Sequence, residues 1–219
     1  MGARDVLGLI PARGGSKGIP RKNLASLGGR PLLAWTVDAA LGATELTRVV
    51  VSTDDDEIAS AAGVEVLRRP AELAADETPM LDVVRHAVAE LAPDVVVLLQ
   101  PTSPLRRAEH IDACVRLLLE SGADAVVSVV EVPHRFRPDS LMDVVEGRVV
   151  PRGPARTRQA KELVYARNGP AVLARRADRM GDDLYGGDVR PFVMDERDSL
   201  DVDDPGDLEL AELLLGARR

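Results

Sequence analysis

The chain is poor in aromatic residues and in cysteine, and it has fewer basic than acidic residues, 28 Lys and Arg against 36 Asp and Glu. Aromatic side chains make up 2% of its 219 residues, so a core has to be built from Leu, Val and Ala. One cysteine, Cys114, excludes a disulfide within the chain and a Cys-rich metal centre. It follows Ile111 by three positions and precedes Val115, which reads as a core thiol. The formal net charge is −8, against general nucleic-acid binding, which needs a basic face. No run approaches the roughly 18 apolar residues of a membrane span, and the apolar run in "MGARDVLGLIPARGG" is too short for a secretory signal. A cytoplasmic setting without a membrane or nucleic-acid partner is the expectation. The length and a hydrophobic content of 45% suit one domain with a real core.

What the chain does have is alternation. Short apolar runs at Val6–Ile10, Val49–Ser52, Val64–Leu67, Val95–Leu99 and Ala125–Val130 read as strands. Helical spacing is seen between them at Pro31–Ala43, Asp54–Ala62, Met80–Leu91 and Ala108–Ser121. Apolar strands alternating with amphipathic helices predict a mostly parallel sheet covered on both faces. From Glu131 to Glu162 the periodicity breaks into many Pro, Arg and Gly residues, as an arm, a hairpin subdomain or a lid would. Leu163–Ala174 regains strand character. The end, "DSLDVDDPGDLELAELLL", reads as a strand feeding a capped helix with Pro205 near its first position.

Four stretches carry chemistry. "LIPARGGSKGIPRKN" puts Arg13, Lys17, Arg21 and Lys22 among glycines directly after the first strand. Ligands of open α/β sheets bind at the carboxyl ends of strands. Gly14, Gly15 and Gly18 allow backbone N–H groups to approach an anion, Arg13 can fork onto phosphate oxygens, and Lys17 adds a mobile charge. The stretch is a triphosphate cradle by type, though neither a Walker loop nor a dinucleotide turn; the competing reading is a loop of solvated cations. "LLQPTSPLR" places Gln100, a donor and an acceptor, at the end of the most apolar strand; its Thr102 and Ser103 suit either a ligand or a turn. In "SLDVDD", Asp201 and Asp203 share a face if extended, and paired carboxylates with substrate phosphates suit Mg²⁺. "RQAKELVYARNG" brings Arg158, Arg167 and Asn168 together, cations and an amide of the kind a sugar acid needs. The scattered His86, His110 and His134 read as surface or satisfied groups, the acids of Asp54–Glu57 as a first helical turn, and Arg175–Arg179 as a solvated face.

Taken together, "IPARGGSKGIPRKN", "LRRPAEL", "LQPTSPLR", "RNG" and "DSLDVD" resemble, in order and approximate spacing, the CMP-sialic acid synthetases, or acylneuraminate cytidylyltransferases. The resemblance thins between about Glu131 and Arg156. It implies a Rossmann-like nucleotidyltransferase fold with a small dimerisation arm, a homodimer, and transfer of CMP from CTP to the anomeric hydroxyl of a nine-carbon 2-keto sugar acid, with Mg²⁺ as cofactor. By matched position, Arg13, Ser16, Lys17 and Asn23 fall around the CTP phosphates, and Lys22 near both phosphates and sugar acid. Arg69 and Thr78 fall near the cytidine, Gln100, Arg158 and Asn168 on the sugar side, and Asp201 and Asp203 on Mg²⁺. One departure is Val172, where members using N-acetylneuraminate often carry a tyrosine; it implies that one sugar-side interaction is missing or comes from another residue. Alternatives are a cytidylyltransferase for Kdo or another unusual sugar acid, and a catalytically silent nucleotide-binding paralogue. The G-G-x-G-T-R loop of sugar-phosphate nucleotidyltransferases is absent.

Overall fold

The structure, a computed structural model, describes residues 4–153, 157 and 162–217. The expected alternation is present. Strand β1 (Val6–Pro11) leads through a loop and the two-residue strands β2 (Ser26–Leu27) and β3 (Arg30–Pro31) into helix α1 (Leu32–Leu41). Strand β4 (Arg48–Thr53), helix α2 (Asp56–Ala61), strand β5 (Glu65–Arg68), helix α3 (Met80–Leu91), strand β6 (Val95–Leu98), helix α4 (Ala108–Ser121) and strand β7 (Ala125–Glu131) follow.

Strand β1 lies between β4 and β6, parallel to both, and β5 extends the sheet beyond β4. The chain leaves β1 to one side for β4 and returns to the other for β6, which opens a crevice at the carboxyl ends of β1 and β6. Alternation along β1 explains its double burial. Val6 and Ile10 pack on one face with Leu33, Val37, Ile58 and Ile111; Leu7 and Leu9 pack on the other with Val84 and Ala87. Helices α1, α2 and α4 therefore cover one face and α3 the other. Each fully buried Leu or Val adds about 1.5–3 kcal/mol, so a core nearly free of aromatics suffices. Cys114 is buried in it, its thiol pushed well up by desolvation.

Helix ends follow their local chemistry. Asp55 caps α2 by accepting from the N–H groups of Glu57 and Ile58. Gly122, left-handed at φ 68°, ends α4. The last helix has Pro205 in its first turn and a reciprocal Asp204–Asp207 capping box, as the sequence suggests.

Past β7 the alternation of strand and helix ends. An exposed hairpin of β8 (Met142–Val145) and β9 (Arg148–Pro151) forms a small sheet of its own. The strand character expected of Leu163–Ala174 resolves into two strands, β10 (Tyr165–Arg167) and β11 (Leu173–Arg176), broken where Gly169 takes φ 115° and Pro170 offers no N–H. Strand β11 inserts antiparallel between β6 and β7, while β12 (Val189–Met194) lies parallel on the far side of β7. Residues 199–203 form no ladder, so the expected strand before helix α5 (Pro205–Gly216) is absent.

Arg175 corrects another expectation. It is 2% exposed rather than solvated. Its guanidinium donates to the carbonyls of Leu184 (3.1 Å), Gly186 (3.0 Å) and Arg179 (2.7 Å), pinning the connection to β12. Arg176 reaches the Leu118 and Ala123 carbonyls near the end of α4, where a cation is favoured. His110 is satisfied, as expected: Nδ1 accepts from the Arg107 N–H at 3.2 Å, and Nε2 lies 3.3 Å from Asp198. Desolvation lowers its pKa, against the pull of Asp198.

Two outcomes follow from these buried groups. Arg175→Met leaves three carbonyls without their donor; the expected loss is on the order of 3 kcal/mol, read as a fall in Tm of roughly 6–12 °C. The folded pKa of His110 lies below the ordinary 6.5. Between those two values the unfolded chain binds the extra proton, so stability is full above 6.5 and is lost as pH falls through the window. Thermal melts from pH 7 to pH 5 should fall less steeply for His110→Gln than for the wild type.

Candidate active site

The crevice holds a cavity of about 240 Å³ walled by distant parts of the chain. The loop after β1 gives Arg13, Ser16, Lys22 and Asn23; the turn after β6 gives Gln100 and Thr102; the segment before α5 gives Asp201 and Asp203. Arg69, just past β5, closes the fourth side.

The β1 loop is a built object. Asn23 is buried and its amide donates to the Arg13 carbonyl at 3.0 Å. The Ser16 hydroxyl donates to the Ile19 carbonyl and accepts from the Lys22 N–H. Lys22 Nζ donates to the Val202 carbonyl at 2.9 Å and pairs with Asp203 at 3.0 Å. A Cβ at Gly18 would run into the Asp203 carbonyl, so the loop can lie against that segment only with glycine there. The Gly14 N–H donates to Asp54 at 3.1 Å.

Arg69 is buried. Its guanidinium donates to the Ser52 carbonyl at 2.7 Å and to the Ser52 hydroxyl at 3.2 Å. Desolvation lowers its pKa to about 10, which leaves it cationic at neutral pH. Gln100 fixes its amide nitrogen on the Gly169 carbonyl at 3.1 Å, leaving the amide oxygen to accept from a ligand. Val202 is fully buried and donates its N–H to the Thr102 carbonyl at 2.7 Å. Its two neighbours turn to the cavity, so Asp201 and Asp203 share a face without any strand. Burial raises the pKa of Asp201, against a hydrogen bond from Thr102. Among the described residues, its Oδ1 is buried without a hydrogen-bond partner, and no group of three or more metal-ligating side chains occurs.

Among the described residues, three expected site residues are not in the cavity wall. Lys17 is 78% exposed and pairs with Asp76 at 2.9 Å. Thr78 is half-buried and turns its hydroxyl to the Glu72 carbonyl. Asn168 is 4% exposed. It accepts from Ser128 at 2.6 Å and donates to Ser199 at 3.0 Å, so it shapes the loop beside Gln100 from beneath. Arg158 lies outside the described residues. Val172 is fully buried in the core, so that position presents nothing to the cavity. Sequence reasoning passed over Asp76, whose carboxylate holds both Arg13 (2.5 Å) and Lys17. It sits in an aperiodic connection between β5 and α3, and nothing in its local pattern sets it apart.

Comparisons with known proteins agree with this architecture. The family described as Cytidylyltransferase matches residues 7–212. The chain is 31% identical over 215 residues to the N-acylneuraminate cytidylyltransferase of Escherichia coli, covering 94% of this chain and 51% of that protein. It is 30% identical to the CMP-N,N'-diacetyllegionaminic acid synthase of Campylobacter jejuni, covering 98% of this chain and 96% of that one. The chain thus spans about half the length of the first relative and nearly all of the second. A solved CMP:2-keto-3-deoxy-manno-octonic acid synthetase, complexed with CTP, superposes with a TM-score of 0.76 over 98% of this chain at 19% identity, a likeness of fold. No described helix is long and apolar enough to cross a membrane. The chain belongs to the cytidylyltransferase family.

Proposed function

We propose that the chain transfers CMP from CTP to the anomeric hydroxyl of a nonulosonic 2-keto sugar acid and releases pyrophosphate. The observation that carries this reading is the convergence, in one cavity at the carboxyl ends of β1 and β6, of Arg13, Lys22 and Arg69 with the Asp201–Asp203 pair. The names of the Escherichia coli and Campylobacter jejuni relatives support a nonulosonic acid as the acceptor.

The protein's part is positioning and charge neutralisation. Arg13, with Lys17 at the loop's outer edge, receives the β- and γ-phosphates and carries the charge that builds on departing pyrophosphate. Ser16 and Asn23 hold the loop in the shape that presents Arg13. Arg69, fixed on Ser52, offers a cation beside the nucleoside. Lys22, held by the Val202 carbonyl, stands between the phosphates and the acceptor, and Gln100 accepts from a sugar hydroxyl. The acceptor oxygen attacks the α-phosphorus opposite the leaving oxygen, so a misplacement of about 1 Å in these walls costs on the order of 10²-fold in rate.

The donor set fits Mg²⁺. Asp201 presents a buried carboxylate oxygen without a hydrogen-bond partner among the described residues, and Asp203 adds a second carboxylate on the same wall. A hard cation with few protein carboxylates and several phosphate or water oxygens suits such a pair. Held there, it supplies Lewis-acid neutralisation of phosphate oxygens.

The hairpin supports the reading of residues 131–162 as a dimerisation arm. Met142, Val144 and Val149 are 60%, 76% and 62% exposed, an apolar surface that a second copy would cover.

Pyrophosphate release should occur with CTP, rather than GTP, UTP or ATP, and with a nonulosonic acid rather than Kdo, and chelation should abolish it. Silence across that panel from a folded protein overturns the proposal. Asp201→Asn and Asp203→Ala should each lower turnover by at least about 10²-fold while CTP binding, followed by calorimetry, persists. Wild-type rates in both would remove the metal assignment. The doubly substituted Val144→Asp, Val149→Asp chain should elute as a monomer in light-scattering chromatography where the wild type elutes as a dimer.

A further inference from the structure

The loop after β1 compensates its own charge. Arg13 and Lys17 share Asp76, Arg21 pairs with Asp55 and Glu57, and Lys22 pairs with Asp203. These carboxylates differ in what else they hold. Asp55 caps α2, and Asp203 accompanies a lysine that also binds the Val202 carbonyl. Asp76 has no second role of that kind. Among the described residues, its side chain meets only the two cations.

Its geometry is that of a bound anion. One oxygen, Oδ1, lies 2.5 Å from Arg13 Nη1, and the other, Oδ2, lies 2.9 Å from Lys17 Nζ. A phosphate bridging a guanidinium and an ammonium would use the same two donors. The side chain is about one-third exposed (34%) and stands on an irregular connection, so it can turn to water without disturbing a strand or helix.

We propose that Asp76 is the protein's own occupant of the polyphosphate site and sets its affinity for nucleoside triphosphate and pyrophosphate. This rests on the reading that Arg13 and Lys17 receive the outer phosphates. A triphosphate displaces the carboxylate by offering more charge to the same two donors. A mononucleotide, whose single phosphate ends short of them, leaves the carboxylate in place. When pyrophosphate is the remaining ligand, Asp76 competes for its donors and hastens its departure. The residue thereby sharpens discrimination between substrate and nucleotide product.

Calorimetric titration of CTP, pyrophosphate and CMP into wild type, Asp76→Asn and a control, Asp82→Asn, at fixed Mg²⁺ tests this. Loss of two exposed ion pairs should tighten CTP and pyrophosphate by about three- to tenfold in Asp76→Asn, leave CMP unchanged, and strengthen pyrophosphate inhibition of turnover. Asp82→Asn should behave as wild type, and Asp76→Ala should repeat the Asp76→Asn result, which separates loss of the charge from any effect of the amide on the loop. Unchanged or weaker CTP and pyrophosphate binding in folded Asp76 variants overturns the inference, as does equal tightening of all three ligands. Failure of the wild type to bind CTP or pyrophosphate at all would instead bring down the nucleotide reading on which it rests.

Discussion

One ammonium group joins the two ends of the chain. Lys22 stands on the loop after the first strand, and its Nζ reaches the Val202 carbonyl and the Asp203 carboxylate just before the last helix. Its side chain is only 14% exposed, so the bond to the Val202 carbonyl is partly sheltered from water, while the Asp203 carboxylate faces outward, 77% exposed. Beneath them, Ile19 and Val202 share a small core with Leu27, Leu32 and Ala211. Without that junction, the cation loop and the carboxylate segment would be separate surface features. With it they are facing walls of one cavity, and the other contacts of the site serve to complete the enclosure.

The third wall depends on a change of strand direction. Because β11 runs antiparallel between β6 and β7, it starts where β6 ends, with Leu173 opposite Leu98. Residues 168–172 are thereby carried over the carboxyl end of β6, next to Gln100. Arg106 clamps the two turns together: its Nη1 donates to the Gln100 carbonyl at 3.1 Å and to the Ala171 carbonyl at 2.7 Å. It is 3% exposed, and desolvation lowers its pKa to about 9. A charged donor committed to two carbonyls is costly to bury; here it fixes the backbone on which Gln100 stands. Asn168 does the same from the other side through Ser128 and Ser199.

This division explains what can be read in the sequence. The strands β1, β4, β6 and β7 and the helices that cover them follow from periodicity, because each element buries a face set by its own spacing. The cation loop is legible because glycines and cations directly after a buried strand have few other uses. The antiparallel course of β11, the burial of Arg175 and the inward turn of Asn168 are not. Each depends on a partner distant in the chain: Arg175 looks like any surface arginine until the carbonyls of Leu184 and Gly186 come round to meet it. Residue types in a motif report that a loop must keep one shape; whether a given side chain touches the ligand or braces the loop is decided by packing. The same limit applies to Val172, whose position in the motif suggests a contact and whose burial rules one out.

Charge gives the final constraint. A chain with a formal charge of −8 is at first sight a poor match for the polyanionic substrate proposed for it. At physiological ionic strength, however, exposed charges separated by more than about 8 Å are largely screened, so the sum over the molecule matters little to an anion already at the crevice. It meets a loop that carries four cations in ten residues, two of which, Arg13 and Lys22, line the cavity, each cation held in place by nearby carboxylates. Such pairing keeps the side chains ordered before any ligand arrives and prevents the loop from repelling itself apart, a preorganisation that offsets part of the cost of displacing the carboxylates. On the proposal made for Asp76, an anion binds by exchange rather than by filling a positive void. Affinity is then a difference between two sets of similar contacts, and small changes in the protein's own carboxylates shift it in a direction that the net charge of the chain does not foretell.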